Sequence, residues 1–278
     1  KTIEFAKERQ AIPFAVFKPT GLGRLDLYEK VGSKATLTSS DKEEWDRVVD
    51  RFDLVCKTAH YKDVALLIDA EESWMQDAAD DLVTQMMQKY NKEKAVVFNT
   101  LQMYRWDRLD YLKQLHEKAK QNGFFIGMKI VRGAYMEKEN ARAIEKGYPT
   151  PICASKEATD KNYDAAVLYM VEHIETMAIF AGTHNELSSY TLMNLMQERG
   201  IKTNDDRIWF GQLYGMSDNI SYNLAAHRYN VAKYLPFGPV KDVMPYLIRR
   251  AEENTSVAGQ TSRELLMIKA ERSRRKSS

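Results

Sequence analysis

The sequence has few of the features that mark secreted, zinc-binding or membrane-spanning proteins. Its two cysteines, Cys56 and Cys153, form no C-x-x-C motif, so neither a disulfide framework nor a zinc knuckle is available. No apolar run reaches the roughly 18 residues that a transmembrane helix needs. The opening segment KTIEFAKERQ is polar and helical in pattern, so we expect no signal peptide there. These absences favour a chain with reduced thiols that does not span a membrane.

The chain also lacks a strong net charge and the common nucleotide-loop motifs. Lys and Arg number 41 and Asp and Glu number 39, which gives a net charge of +2. Such a balance provides no long-range field that would attract nucleic acid, so we predict no nucleic-acid partner. No G-x-G-x-x-G follows an apolar run, and no histidine stands at a known metal-ligand spacing, so we predict no metal.

The length of 278 residues is compatible with two ordinary domains or with one (β/α)₈ barrel. Short apolar runs alternate with longer amphipathic stretches along the whole sequence. The runs predict strands at 13–18, 64–69, 95–99, 125–131, 177–182, 208–213 and 230–235. The amphipathic stretches predict helices at 74–90, 105–121, 136–146, 160–174, 187–198, 217–227, 240–254 and about 262–272. A further helix is predicted to begin at a capping box of Ser40 and Glu43 and to end near Cys56.

This alternation indicates an α/β protein with a parallel sheet buried on both faces. No linker or change in composition divides the chain, so we predict one domain over 1–278, with a C-terminal helix at about 261–278. Seven strands are predicted, whereas a closed barrel of this type has eight. We therefore expect a (β/α)₈ barrel that is one strand short.

Polar residues follow the predicted strands at the edge where barrel enzymes carry their active sites. Loops are polar in any protein, which explains some of these positions. Lysines in or next to apolar strands are costly, however, unless they are paired or bind an anion. We therefore predict a site for an anionic ligand among the strand-end residues Lys18, Asp69, Asn99, Lys129, Arg132, Tyr135, Thr183, His184, Asn185, Gln212, Tyr214 and Tyr234.

A second cationic cluster lies in the segment YLIRRAEEN at 246–254. On a helix Arg249, Arg250 and Glu253 share one face, and Glu253 can orient either guanidinium. Two adjacent arginines held in this way suit a small carboxylate. A solvated charged helix is the alternative interpretation. The basic stretch at 272–276 fits a solvated tail or a contact with an anionic lipid surface.

Eight segments in order resemble the successive motifs of the proline dehydrogenases: FAVFKPTGLGR, LLIDAEESW, VVFNTLQMY, KIVRGAYM, FAGTHN, QLYGM, KYLPFGPV and YLIRRAEEN. The resemblance runs from about Ile12 to Val257. It is closer to the stand-alone and mitochondrial type than to the large bifunctional bacterial enzymes, because of FNTLQ and Lys129.

The resemblance implies a distorted (β/α)₈ barrel whose first strand is missing from this chain. It also implies that the barrel binds FAD and oxidises L-proline to Δ¹-pyrroline-5-carboxylate, with hydride transfer from C5 to flavin N5. It implies a quinone as electron acceptor and therefore transient contact with a membrane surface. The location it implies is the bacterial cytoplasm, peripheral to the inner membrane, or alternatively the matrix side of the mitochondrial inner membrane.

The resemblance also implies roles for individual residues. Substrate-binding residues would be Lys18, Asp69, Ala134, Tyr135, Leu213, Tyr234, Tyr246, Arg249 and Arg250. Of these, Lys18, Asp69, Tyr135, Tyr234, Arg249 and Arg250 would be catalytic, with Asp69 beside Lys18. Cofactor-binding residues would be Asn99, Lys129, Arg132, Gly133, Ala134, Lys156, Thr183, His184, Asn185, Gln212 and Glu253.

Three alternatives remain beside proline dehydrogenase. A hydroxyproline dehydrogenase of the same family would carry a small serine where this chain has Tyr234. A non-catalytic flavin-binding barrel would not need the set of Lys18, Arg249 and Arg250. In another FAD barrel, such as a methylenetetrahydrofolate reductase, the Arg-Arg-x-x-Glu helix would have no function.

Overall fold

The fold is an alternating series of helices and parallel strands. The computed structural model describes residues 1–236, 238–241, 243–244, 247–248, 269–270 and 272–275. The strands are β1 (Phe14–Phe17), β2 (Ala65–Ile68), β3 (Val97–Gln102), β4 (Ile126–Val131), β5 (Met177–Gly182), β6 (Ile208–Leu213) and β7 (Val231–Tyr234). The helices are α1 (Thr2–Lys7), α2 (Leu25–Gly32), α3 (Ser39–Lys62), α4 (Ser73–Tyr90), α5 (Arg108–Asn122), α6 (Met136–Lys146), α7 (Lys156–Glu172), α8 (Glu186–Glu198) and α9 (Asp218–Ala226).

The seven strands of the described residues form one sheet in the order of the chain, β1 to β7. The pairs for which the register is defined are parallel, as predicted from the alternating pattern. In that register Lys129 of β4 lies between Thr100 of β3 and Phe180 of β5. A parallel sheet of this kind places the carboxyl ends of neighbouring strands along one edge.

Aromatic side chains fill the concave side of the sheet. Phe14 of β1 makes edge-to-face contacts with Phe180 of β5 and Trp209 of β6, with ring centroids 5.1 Å apart in both cases. Such contacts between the first and the later strands require the sheet to curl. Gly127 makes room for this packing, because a Cβ there would lie 2.6 Å from the ring of Phe98. The strand positions that share this side are therefore interior positions of a curled sheet.

The outer side of the sheet packs against the helices. Buried side chains of α3 at Val48, Phe52 and Cys56 belong to the main core, together with Met75 and Val83 of α4. The helix that the sequence predicted in this region is thus confirmed.

The predicted start and end of α3 were wrong. Its capping box is formed by Thr38 and Asp41 rather than by Ser40 and Glu43. The Thr38 hydroxyl accepts the Asp41 N–H, and the Asp41 carboxylate accepts the Thr38 N–H in return. The helix also continues past Cys56 to Lys62 and ends where Asp63 takes a left-handed conformation, at φ 53°.

Other boundaries moved by a few residues, and one helix was missed. The predicted strand at 95–99 lies instead at Val97–Gln102, and the helix predicted from 160 begins at Lys156. Helix α2 was not predicted at all. The helices predicted at 240–254 and 262–272, and the tail at 272–276, lie partly outside the described residues.

The chain divides into two units, one of residues 1–211 and 219–232 and the other of 212–218 and 233–278. The first contains β1 to β5, most of β6 and the interior aromatic residues. In the second, the Tyr214 N–H donates to Tyr234 O (3.0 Å), and Lys233 pairs with Asp218 (2.7 Å). The single domain over 1–278 stays a prediction. Within the described residues, no helix combines the length and apolar character that crossing a bilayer requires.

The environment of His116 predicts that the fold loses stability as pH falls. His116 is buried between α5 and α7, with its Nδ1 2.9 Å from Tyr169 Oη and its ring centroid 4.6 Å from that of His173. Burial and the neighbouring His173 lower the pKa of His116. In the unfolded chain His116 takes up a proton near the ordinary histidine pKa of about 6.5, whereas in the folded chain it stays neutral to a lower pH. Protonation therefore favours the unfolded chain, and the fold loses stability as pH falls below that value.

We therefore expect the urea midpoint of the protein to fall between about pH 7.5 and about pH 5.5. His116→Gln, which cannot titrate, should show a smaller fall, whereas His227→Gln, at an exposed histidine, should behave like the unchanged protein. An identical pH dependence in His116→Gln and the unchanged protein would contradict this assignment.

Candidate active site

Four side chains meet at the carboxyl ends of β1, β2 and β4. Lys129 Nζ donates to Asp69 Oδ1 at 2.6 Å, and both side chains are about nine-tenths buried. Lys18, the residue after β1, donates from Nζ to Tyr135 Oη at 2.8 Å. Lys18, Asp69 and Lys129 continue the alternation of the interior residues Val16, Leu67 and Gly127, so all three belong to the concave side. The structure thus gathers four residues that the sequence predicted as one site.

The resemblance implied that Asp69 lies beside Lys18, and that placement stays a prediction. Asp69 accepts its hydrogen bond from Lys129, and its charge also acts on the Lys18 ammonium. Burial of the Lys18 ammonium lowers its pKa, but Tyr135, Glu71 and Asp69 outweigh that effect, so the pKa is raised. For Tyr135, burial of the phenol raises the pKa, and this effect outweighs the neighbouring Lys18 ammonium, which lowers it. Lys18 therefore stays an ammonium and Tyr135 a neutral phenol over the physiological range.

Two residues of this edge were missed by the sequence analysis. Glu71, two residues beyond Asp69, is 5% exposed, and its carboxylate accepts the backbone N–H and the hydroxyl of Thr20 at 2.9 and 2.7 Å. Gln102 ends β3, is 3% exposed, and donates from Nε2 to Glu71 O at 2.7 Å. The signal for Gln102 was present, because Phe98 is an interior residue and a period of two makes residues 100 and 102 interior as well.

Asn99 is not brought to this group. It lies on the opposite side of β3, 1% exposed, and its Nδ2 donates to Asp80 Oδ1 of α4 at 2.8 Å. Asp80 also accepts from Arg108 of α5 at 2.8 Å. Because β3 extends to Gln102, Asn99 is a residue of its middle and faces the helices. Gln102 has the place at the strand end that the sequence analysis gave to Asn99.

A second cluster surrounds Arg132, just after β4. The guanidinium donates from Nε to Asp160 (2.6 Å), from Nη1 to Thr183 Oγ1 (2.8 Å) and from Nη2 to Ser188 Oγ (2.9 Å). Lys156, in the first turn of α7, also donates to Asp160, at 2.7 Å. Asn185 caps α8 by accepting the Ser188 N–H at 3.1 Å. This cluster places two cations, which share the carboxylate of Asp160, beside the amino terminus of a helix, where an anion is stabilised.

Comparison with known proteins identifies the family. The family model described as proline dehydrogenase matches residues 2–263. The chain belongs to the proline dehydrogenase family. Human mitochondrial proline dehydrogenase 1 is 39% identical over 86% of this chain and 40% of its own length. The carbapenem antibiotics biosynthesis protein CarD of Pectobacterium carotovorum subsp. carotovorum is 36% identical over 99% of this chain and 71% of its own. The hydroxyproline dehydrogenase of Xenopus laevis is 36% identical over 82% of this chain and 50% of its own length.

Solved structures agree on the fold. Proline utilization A from Bdellovibrio bacteriovorus superposes with a TM-score of 0.76, at 24% identity, over 87% of this chain and 24% of that chain. The protein of the same name from Bradyrhizobium japonicum superposes with a TM-score of 0.76, at 21% identity, over 92% of this chain and 26% of that chain. The present chain therefore spans less than half the length of the human relative and about a quarter of these two structures.

The roles that the proline dehydrogenase resemblance gave to individual residues all stay predictions. Gly133 and Ala134 are exposed beside Tyr135, and His184 is half-buried between Thr183 and Asn185. Gln212, Leu213 and Tyr234 belong to the second unit, where Gln212 is buried and the other two are half-buried. Tyr246, Arg249, Arg250 and Glu253 lie outside the described residues.

The buried Lys129–Asp69 pair predicts a large loss of stability when either partner is removed. Lys129→Met or Asp69→Asn leaves one charge buried without its counterion, which costs about 3–5 kcal/mol in proteins. Urea unfolding of the two variants measures this free energy. The exposed pair of Lys94 and Asp63 provides the control, because Lys94→Met should cost less than about 1 kcal/mol. Similar losses at the two pairs would show that the inner pair is not a buried charge pair.

Proposed function

We propose that this chain oxidises L-proline to Δ¹-pyrroline-5-carboxylate with FAD as its cofactor. The observation that carries the proposal is the arrangement of Lys18 and Lys129 on the concave side of the sheet, held by Tyr135 and Asp69, in a member of the proline dehydrogenase family. The curated relatives named above include proline dehydrogenases and a hydroxyproline dehydrogenase. An anionic amino acid is the class of substrate that the exposed Lys18 ammonium favours.

The residues present fit a flavin dinucleotide. FAD carries a diphosphate, and the Arg132 cluster offers two cations and the amino terminus of α8 for such a group. Lys129, three residues earlier on β4, points into the concave side, where a flavin ring would need a cationic neighbour. Arg132, Lys156, Thr183 and Asn185 would therefore hold the phosphates, and Lys129 would face the ring system. FAD, when bound, supplies the acceptor for the hydride that leaves C5 of proline.

The protein's own task in this reaction is orientation. We assign the substrate carboxylate to Lys18, together with Arg249 and Arg250 from the sequence analysis. The Tyr135 phenol, fixed by its hydrogen bond from Lys18, would form one wall for the pyrrolidine ring. Hydride transfer needs reacting atoms about 3–3.5 Å apart, so a fixed carboxylate and a fixed ring wall act directly on the rate.

The proton of the substrate nitrogen needs an acceptor, because only the neutral amine readily loses hydride. The described residues of the site include the carboxylates Asp69 and Glu71, and both already accept hydrogen bonds, from Lys129 and Thr20. We therefore assign this proton to water rather than to a side chain.

A quinone is the electron acceptor that we propose, with transient contact between the protein and a membrane surface. Human proline dehydrogenase 1 is described as mitochondrial. For this chain, the inner face of a bacterial inner membrane and the matrix side of the mitochondrial one both stay proposals.

The absorption spectrum of the purified protein tests cofactor and substrate together. We expect a flavin band that bleaches when L-proline is added without oxygen, because the electrons then remain on the cofactor. D-proline, which presents C5 and the carboxylate with the opposite hand, is the control and should bleach the band more slowly. A protein that binds FAD and is not reduced by L-proline would instead be the non-catalytic flavin-binding barrel.

Hydroxyproline is the second candidate substrate, since a hydroxyproline dehydrogenase is among the relatives. Tyr234 would fill the space that a 4-hydroxyl group needs, so we expect kcat/KM for L-proline to exceed that for trans-4-hydroxy-L-proline by at least about tenfold. Tyr234→Ser should narrow this ratio, and Tyr222→Ser, at an exposed tyrosine of α9, should leave it unchanged. A higher kcat/KM for hydroxyproline in the unchanged protein would reverse the assignment.

A further inference from the structure

Glu71 connects three elements of the structure at the carboxyl edge of the sheet. Its two carboxylate oxygens accept the N–H and the hydroxyl of Thr20 at 2.9 and 2.7 Å. Its own N–H donates to Gln76 Oε1 of α4 at 2.9 Å, and its carbonyl oxygen accepts from Gln102 of β3 at 2.7 Å. The side chain of Glu71 thus holds the segment after β1, while its backbone is held by α4 and β3.

The segment that Glu71 holds is the turn that carries Lys18. Lys18 is followed by a short 3₁₀ turn, Pro19–Gly21, and Thr20 is its central residue. Tyr28 of α2 supports the same turn by donating to Pro19 O at 2.9 Å. Because Lys18 lies directly before this turn, the direction of its side chain depends on where Pro19 and Thr20 are fixed.

The backbone of Glu71 is anchored to buried groups. Gln76 Nε2 donates to Asp80 Oδ1 at 2.8 Å, and Asp80 accepts from Arg108 at 2.8 Å. Gln76, Asp80 and Arg108 are each at least nine-tenths buried. A hydrogen-bonded chain that is buried at every member has few alternative arrangements, so Glu71 has a fixed base from which to hold the turn.

The neighbouring Glu72 has no such role. It is as buried as Glu71, at 6% against 5% exposed, but its carboxylate accepts from Lys138, whose side chain is exposed. Glu71 also acts on the charge of Lys18, because it is one of the carboxylates that keep that ammonium protonated. Two adjacent buried acids therefore differ in whether they contact the turn after Lys18.

We propose that Glu71 is a positioning residue of the active site, whose carboxylate fixes the Pro19–Gly21 turn and thereby aims the Lys18 ammonium at the substrate carboxylate. The inference rests on the proposed function, in which Lys18 binds that carboxylate. Glu71 itself touches neither substrate nor cofactor in this assignment, so its loss should weaken substrate binding more than the chemical step.

Steady-state kinetics of the flavin-loaded protein with L-proline test this proposal. We expect Glu71→Ala and Thr20→Val to raise KM by about tenfold, with kcat changed by less than about threefold. Glu71→Gln should keep KM within about threefold of the unchanged protein, because the amide oxygen still accepts from Thr20. Glu72→Ala and Glu72→Gln are the matched controls and should leave both constants unchanged. Flavin absorbance and the thermal midpoint of each variant show whether it has folded.

The outcomes separate this inference from the proposed function. If the unchanged protein oxidises proline and both Glu71→Ala and Thr20→Val keep KM within about twofold, the positioning role is wrong and the function stands. Equal effects of Glu71→Ala and Glu72→Ala would also overturn it, since burial alone would then explain the loss. If Glu71→Ala does not fold, the split between KM and kcat in Thr20→Val decides. A protein whose flavin proline does not reduce overturns the function and the inference together.

Discussion

The filling of the concave side of the sheet by aromatic rings is the constraint on which the candidate site depends. Phe14 contacts Phe98, Phe180 and Trp209, so rings from four strands occupy the middle of the interior. Among the described residues, Thr100 of β3 and Lys129 of β4 are polar side chains within strands on this side. The Thr100 hydroxyl donates to Ile68 O at 2.7 Å, and the Lys129 ammonium is compensated by Asp69 at 2.6 Å. Both polar groups are thus paired, because an unpaired one would be costly in this interior.

A second layer of buried polar groups connects this edge to the helices. Asp80 of α4 accepts from Asn99, Gln76 and Arg108, and Gln76 in turn holds the backbone of Glu71. An unpaired buried polar group is costly, so each of these residues stabilises the fold only when its hydrogen-bond partners are also in place. The helix layer thereby helps to set the geometry of residues that face the opposite side of the sheet.

The parts of the fold that could be predicted are those with a strong local pattern. β5 and β6 have the predicted bounds, because each is a continuous apolar run between turn residues. The limits of β3 were wrong because AVVFN reads as a strand by itself, whereas the pairing of Leu101 and Gln102 with β4 extends it to residue 102. The cap of α3 was misplaced for a similar reason, since several polar residues before that helix could cap it. Helix α2 has only eight residues, and its amphipathic pattern, with Leu27 and Tyr28 buried, was overlooked.

The sequence by itself determined the class of the fold and the family, and it predicted the edge that carries the candidate site and the cationic character of that edge. These follow from strand spacing and from motifs that are contiguous in the chain. Only the tertiary structure decided which side chains meet: Asp69 with Lys129, Lys18 with Tyr135, and Glu71 with Thr20. The partners are 60, 117 and 51 residues apart. A local pattern shows which face a residue occupies, but the pairing of distant residues depends on the register and curl of the sheet, which arise when all the strands pack together.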